Sequence, residues 1–167
     1  MELYDVNKDG VLDTKELEAC PGMLRAIKTY DVDGNQKITA DEIATRIKEW
    51  KSAGPAMMPC DCHVTLDGRP LEGATVRFVP EPYLEGSIQT ATGVTDAYGK
   101  ALISLPPKAM PAHLRHVAAM NAGTYKVEIT HPTTKIPEQY NTRTTQGREV
   151  SRQTSPPGYE EFELKSK

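Results

Sequence analysis

The chain has 167 residues, of which 38% are hydrophobic and 26% charged, with a formal net charge of −3. That length accommodates one large domain or two small ones, and the acids are unevenly spread: 11 of the 23 acidic residues, but seven of the 20 basic ones, lie in residues 1–50. The balance excludes the basic footprint of a nucleic-acid binder, and no apolar run reaches the length of a membrane span.

The first informative run, DVNKDGVLDTKE from Asp5 to Glu16, meets the pattern D-x-[DN]-x-[DN]-G-x5-E at every specified position. Calcium takes six to eight oxygen ligands, so a short loop must present oxygens at alternate positions and close the shell with a two-oxygen carboxylate. Asp5, Asn7 and Asp9 offer side-chain oxygens, Val11 its backbone carbonyl, Asp13 a direct or water-mediated contact, and Glu16 the closing carboxylate. Gly10 stands where the chain must turn sharply, and Leu12 is placed to face a partner loop. Asp, Asn and Gly favour turns in any protein; their joint occurrence at all the ligand positions points beyond a solvated turn. Only four residues precede Asp5, fewer than two helical turns, and no signal peptide is visible. A helix entering this loop is therefore expected upstream, in a longer protein of which this chain is a piece.

Glu18 to Tyr30 reads as two short helical pieces split at Pro21-Gly22, with Met23, Ile27 and Tyr30 on one face. A second run, DVDGNQKITADE from Asp31 to Glu42, then repeats the first loop 26 residues on. It puts Asp31, Asp33, Asn35, Lys37 (by its carbonyl), Thr39 and Glu42 at the ligand positions. The register extends to Tyr4 with Tyr30, Val6 with Val32, Leu12 with Ile38 and Leu17 with Ile43. Gln36 replaces the turn glycine, and a left-handed non-glycine residue costs about 1 kcal/mol, so the second loop is expected to bind more weakly. Ile43, Ile47 and Trp50 form the apolar face of a helix leaving this loop. From Leu3 to Trp50 the chain resembles a pair of EF-hands, with a loop spacing closer to bacterial dockerin repeats than to four-hand sensors. Glu16 and Glu42 depart from the aspartate that usually ends a dockerin loop. The resemblance implies Ca2+ held by the twelve residues named, within a unit spanning residues 1–50.

Residues 51–59, KSAGPAMMP, lack periodicity and are expected to be a linker. Cys20, Cys60 and Cys62 are too few and too closely spaced for a zinc knuckle, which leaves free thiols or one bridge from Cys20. From residue 60 onward the period is two. Strands are expected at His63–Leu66, Ala74–Val79, Gly93–Thr95, Ala101–Leu105, Thr124–Thr130 and Glu160–Leu164, with Asp67-Gly68 as a turn. On Thr124–Thr130 the inward set is Tyr125, Val127 and Ile129, and on the last strand Phe162 and Leu164. His113 and His116 lack a third ligand, so their segment is expected to pack through Leu114, Val117 and Met120. Ile136–Val150 is expected to be a surface strand pair or binding loop, whose Arg143, with Arg148 and Arg152, could meet anionic sugars.

The order VTLDGRPLEGATVRFVPE, GVTDAYGKALISL and GTYKVEI resembles the carboxypeptidase-regulatory or transthyretin-like sandwich family. It implies an antiparallel β-sandwich over residues 60–167 and an α+β chain as a whole. Joined to calcium loops, it is similar to secreted or envelope-associated proteins of planctomycete-type bacteria. Enzymes with this sandwich are set aside. The chain ends FELKSK without the Tyr-Arg-Gly-Ser of hydroxyisourate hydrolases, and His63, Tyr125, His131 and Tyr140 lack the spacing of the intradiol dioxygenase iron site. The expectation is a non-enzymatic calcium-binding protein, extracellular, periplasmic or at the cell envelope, whose bound Ca2+ orders the paired loops and fixes their angle to the sandwich. The alternative is a dockerin-like or adhesive module recognising a protein or glycan.

Overall fold

A computed structural model describes residues 1–52, 57–153 and 158–167. The first part runs through β1 (Val11–Leu12), a 3-10 turn (Glu16–Ala19), α1 (Pro21–Arg25), α2 (Ile27–Tyr30), β2 (Ile38–Thr39) and α3 (Ala40–Ser52). Pro21 opens α1 rather than dividing two helices, because its missing N–H and fixed φ suit a first helical position. The division falls instead at Cys20 and at Ala26, and Ile27 is left half-buried while Met23 and Tyr30 are fully buried. α3 starts on Asp41 and Glu42 and ends near Lys51, the charge order the helix dipole favours. Of the expected face it buries Ile43 and Trp50 and leaves Ile47 half-buried, and it buries Arg46 with them.

The expected linker is shorter than 51–59. Lys51 and Ser52 are the last turn of α3, and Met57–Met58 form β3; residues 53–56 lie outside the described residues. There follow β4 (Cys60–Leu66), β5 (Arg69–Pro70), β6 (Thr75–Pro80), β7 (Ala91–Val94), β8 (Lys100–Ile103), β9 (Met120–Asn121), β10 (Gly123–Thr130), β11 (Gly147–Val150) and β12 (Tyr159–Leu164). One four-stranded sheet has the order β11-β10-β6-β7; in the other, β4 pairs with β12, β5 and β8. β3 and β9 pair separately. β4 turns into β5 at Asp67-Gly68, both left-handed (φ 51° and 78°), the conformation a two-residue hairpin requires.

Among the described residues every strand pair but one is antiparallel: β12 runs parallel to β4, Phe162 opposite Val64. This one parallel pair departs from the antiparallel arrangement expected, which the other strand pairs follow. Alternation settles which side chains turn inward and is silent on strand direction. Here the chain leaves β11, in one sheet, and joins the other alongside β4. Side chains of both sheets meet in one buried cluster, where Phe78 of β6 lies edge-on to Tyr125 (5.9 Å) and to Phe162 of the opposite sheet (6.2 Å). The chain is thus a mixed α and β protein, rich in antiparallel sheet with few helices.

Cys60 and Cys62 share the inward face of β4, and Cys20 lies in a second buried cluster built from the first 50 residues and closed by Leu84. All three cysteines are free. Burial pushes the Cys20 and Cys62 thiols up to about 12, so both are protonated thiols at neutral pH. Among the described residues no helix is long and apolar enough to cross a membrane.

The two clusters meet across a junction built from backbone. α1 lies against β10 and β11, and the absence of Cβ atoms at Gly22 and Gly147 allows that approach. A Cβ on Gly147 would overlap the carbonyl group of Pro21 and the amide nitrogen of Gly22.

Candidate metal centre

Each acidic loop is a chain of turns in which a side-chain oxygen takes a backbone N–H a few residues ahead. In the first, Asp9 N donates to Asn7 Oδ1 (2.8 Å), Val11 N to Asp9 Oδ1 (3.1 Å) and Gly10 N to Asp5 Oδ2 (3.1 Å). The second repeats this pattern: Asn35 N donates to Asp33 Oδ1 (3.1 Å), Lys37 N to Asn35 Oδ1 (2.7 Å) and Gln36 N to Asp31 Oδ2 (2.8 Å). The final carboxylate then folds back over its loop. Glu16 accepts from Val6 N (2.9 Å) and Asp13 N (3.2 Å), and Glu42 from Val32 N (2.9 Å) and Thr39 N (2.8 Å). Burial works against the charge on Glu42, yet the N–H groups of Thr39 and Val32 outweigh it and hold the carboxyl below its ordinary pKa.

Carboxylate oxygens of Asp5, Asp9 and Glu16 lie within 4.8 Å of one another, as do those of Asp31, Asp33 and Glu42. Three anions at that separation repel, and a divalent cation among them reverses the sign. Asp5 Oδ1 is buried without a hydrogen-bond partner, an oxygen with a lone pair to spare. An all-oxygen set of this kind fits a hard cation such as Ca2+. Three of the six expected ligands of each loop are therefore gathered. Asn7 and Asn35 are engaged in the turns. Asp13 Oδ1 accepts from Lys15 N and Glu16 N (both 2.9 Å), and Thr39 Oγ1 donates to Glu42 Oε2 (2.9 Å). Val11 opens β1 and Lys37 directly precedes β2; these strands pair antiparallel, Val11 opposite Thr39 and Leu12 opposite Ile38, with Leu12 and Ile38 fully buried.

The expected weakness of the second loop loses its physical basis. Both loops take a left-handed residue at their fourth and sixth positions: Lys8 (φ 59°) and Gly10 (85°) in the first, Gly34 (76°) and Gln36 (63°) in the second. Each loop therefore holds one glycine and one strained residue, with the order exchanged. Gly34 standing 26 residues after Lys8 was the visible sign of it.

Two buried carboxylates that sequence reasoning overlooked hold the loops to the sheet. Glu81, fully buried beyond β6, accepts from Gly22 N at 2.7 Å, while its Oε2 lies 4.0 Å from Lys126 Nζ and has no hydrogen bond. Burial pushes this carboxyl above its ordinary pKa, against the opposing pull of the Gly22 N–H and Lys126. Nearby, the Tyr30 and Tyr83 hydroxyls share a hydrogen bond (2.8 Å), and Tyr83 reaches Thr124. Glu149 on β11 is paired with Arg46 and accepts from Trp50 Nε1 (3.3 Å) and Thr29 Oγ1 (3.3 Å). These contacts join residues 41 to 120 positions apart, so no local pattern announces them.

The remaining candidates are not assembled into a site. His113 and His116 are exposed, and their segment packs through Leu114 and Met120 but not Val117, which is 41% exposed. Of Ile136–Val150, only Gly147–Val150 is strand. Arg148 is committed to Glu160 and to the face of Phe162 (4.7 Å), whereas Arg143 and Arg152 are exposed.

No family model matches the chain, and no curated protein matches it. It is similar to the crystal structure of a DUF3823 family protein from Parabacteroides merdae, at a TM-score of 0.37 and 11% identity. The likeness covers 65% of this chain and 45% of that protein, so the chain spans less than half its length.

Proposed function

We propose that the chain is a non-enzymatic calcium-binding protein in which an EF-hand pair is built onto a transthyretin-like β-sandwich, as part of a secreted or envelope protein. The observation that carries this reading is the convergence of two loops on one hydrogen-bonding scheme, each drawing three carboxylates within 4.8 Å. Loops of modest affinity, with dissociation constants of about 10⁻⁴–10⁻³ M as in extracellular modules, are filled at extracellular calcium levels. Calcium on this reading is structural: it offsets the repulsion within each loop and so holds the paired strands β1 and β2 together. Calorimetric titration is expected to show one or two sites, with Glu16→Gln removing binding at the first loop and Glu42→Gln at the second. Absence of both heat and thermal shift on adding calcium would sink the reading.

A second reading, a dockerin-like or adhesive module, draws support from the surface of the same loops. Val6 and Val32 hold the same position in the two loops and are 82% and 76% exposed, with Leu3 beside the first at 66%. Pull-down from envelope extract with and without chelator tests it: a calcium-dependent partner lost on Val6→Asp/Val32→Asp substitution favours this reading, and a partner indifferent to both counts against it.

A further inference from the structure

We infer that Glu149 and Arg46 are positioning residues for the second metal loop, joining its two flanks to the sheet so that metal affinity depends on side chains that touch no metal. The inference rests on the calcium reading of the loops. Glu149 is 5% exposed and lies on β11, in a different sheet from any loop residue. Its carboxylate lies 3.3 Å from Thr29 Oγ1, a hydroxyl shared with Ala26 O at 2.6 Å, on the segment entering the loop at Asp31, and it takes Arg46 Nη2 with Trp50 Nε1 from the helix leaving it at Glu42. Arg46 also holds Glu49 on its own helix, at 2.6 Å. The two ends of the second loop are thus pinned to one carboxylate, on a strand whose start is pressed against α1 through Gly147.

Loop closure explains why this matters. Asp31 and Glu42, the first and last ligands, converge only if the segments carrying them hold a fixed separation; Tyr30 packs edge-on against Trp50 at 6.3 Å, and Glu149 hydrogen-bonds to both segments beside that contact. A ligand that requires the converged state and a clasp that favours it must strengthen each other reciprocally. With the clasp gone, the metal must order the two flanks itself, and its apparent affinity falls. The loss expected is about tenfold, within the range of coupled sites. Glu81 stands near both flanks of the first loop, accepting from Gly22 N beyond its end and facing Tyr4 before its start, so loss of Glu149 is expected to act mainly on the second loop.

The protein carries its own reporter, because its single tryptophan, Trp50, donates to Glu149. Calcium titration of the full chain is followed by calorimetry and by Trp50 emission. The expected result is an emission change that saturates with the second loop's binding heat and is abolished by Glu42→Gln. Glu149→Gln is expected to weaken the second loop's binding about tenfold. Because that variant leaves Arg46 buried without its partner, the double variant Arg46→Met/Glu149→Leu, which replaces the ion pair by apolar groups, is measured beside it and should show the same loss. Val64→Ala, in the other sheet, lowers thermal stability and should leave affinity unchanged. Binding heat in the wild type without a change in Trp50 emission overturns the inference. So do a double variant that binds as tightly as the wild type and a Val64→Ala protein that loses as much affinity as Glu149→Gln. Absence of any binding heat in the wild type refutes instead the calcium reading on which the inference rests.

Discussion

The backbone junction between α1 and β11 makes a quantitative demand on Gly147. Its φ lies outside the left-handed region, so alanine adds no backbone strain there, and by itself the change would stabilise by about 0.4–1 kcal/mol through a less flexible unfolded chain. The added methyl, however, would fall on the carbonyl group of Pro21 and the amide nitrogen of Gly22, both main-chain atoms with no rotamer to yield. Restoring an ordinary carbon–carbon separation of about 3.5–4 Å requires α1 to move off the strand, which takes Gly22 N away from Glu81. Overpacking costs about 1–3 kcal/mol, and a buried carboxylate left without its donor about 1–3 kcal/mol more. The net expectation is a loss of roughly 3–4 kcal/mol, or about 10 °C in Tm for a chain of this size. Gly22→Ala calibrates the scale. Its Cβ would stand 2.9 Å from the main-chain Tyr125 N and 3.0 Å from Glu81 Oε1, a far smaller overlap than the one at Gly147. Urea unfolding of both variants with calcium present is the assay. A Gly147→Ala protein within 0.5 kcal/mol of wild type (on the order of ordinary surface changes), or one more stable than Gly22→Ala, would show that the junction is not close-packed.

Three further expectations are independent of that one. Because burial raises the Glu81 pKa in the folded state, the folded protein holds that proton more tightly, so stability falls as pH climbs from the ordinary carboxylate range through the raised value. Glu81→Gln, facing Lys126, Cys20 and Tyr4, should match wild type near pH 4 (roughly the unperturbed carboxylate value) and exceed it at neutral pH; parallel stability profiles would refute the cause. Lys8→Gly and Gln36→Gly each relieve one left-handed residue and should stabilise the metal-free protein by similar amounts, up to about 1 kcal/mol, whereas a gain confined to Gln36→Gly would restore the idea of a strained second loop. Phe78→Ala empties the contact between Tyr125 and Phe162 and should cost about 3–5 kcal/mol in urea unfolding. A loss below 2 kcal/mol, about the least expected for a large buried side chain, would argue against a core shared by the two sheets.

Much of this protein is readable from the chain alone because the signals are local. Each acidic loop is specified by residues within twelve positions, and the 26-residue repeat puts Leu12 and Ile38 in register, the pairing the β1–β2 ladder shows. The inward faces of β10 and β12 followed from period-two alternation, as Tyr125, Val127, Ile129, Phe162 and Leu164 bear out. Tertiary structure decided what alternation and spacing leave open. Strand direction has no signature in one strand, so the parallel pairing of β12 with β4 had to be seen. Glu81, Glu149 and Arg46 look like ordinary surface charges in sequence, and become buried only because segments far apart in the chain close over them. The close approach at Gly22 and Gly147 has the same origin: a missing Cβ acquires meaning only when another backbone occupies its place. The acidic loops are therefore a property of the sequence, and their seating on the sheet is a property of the fold.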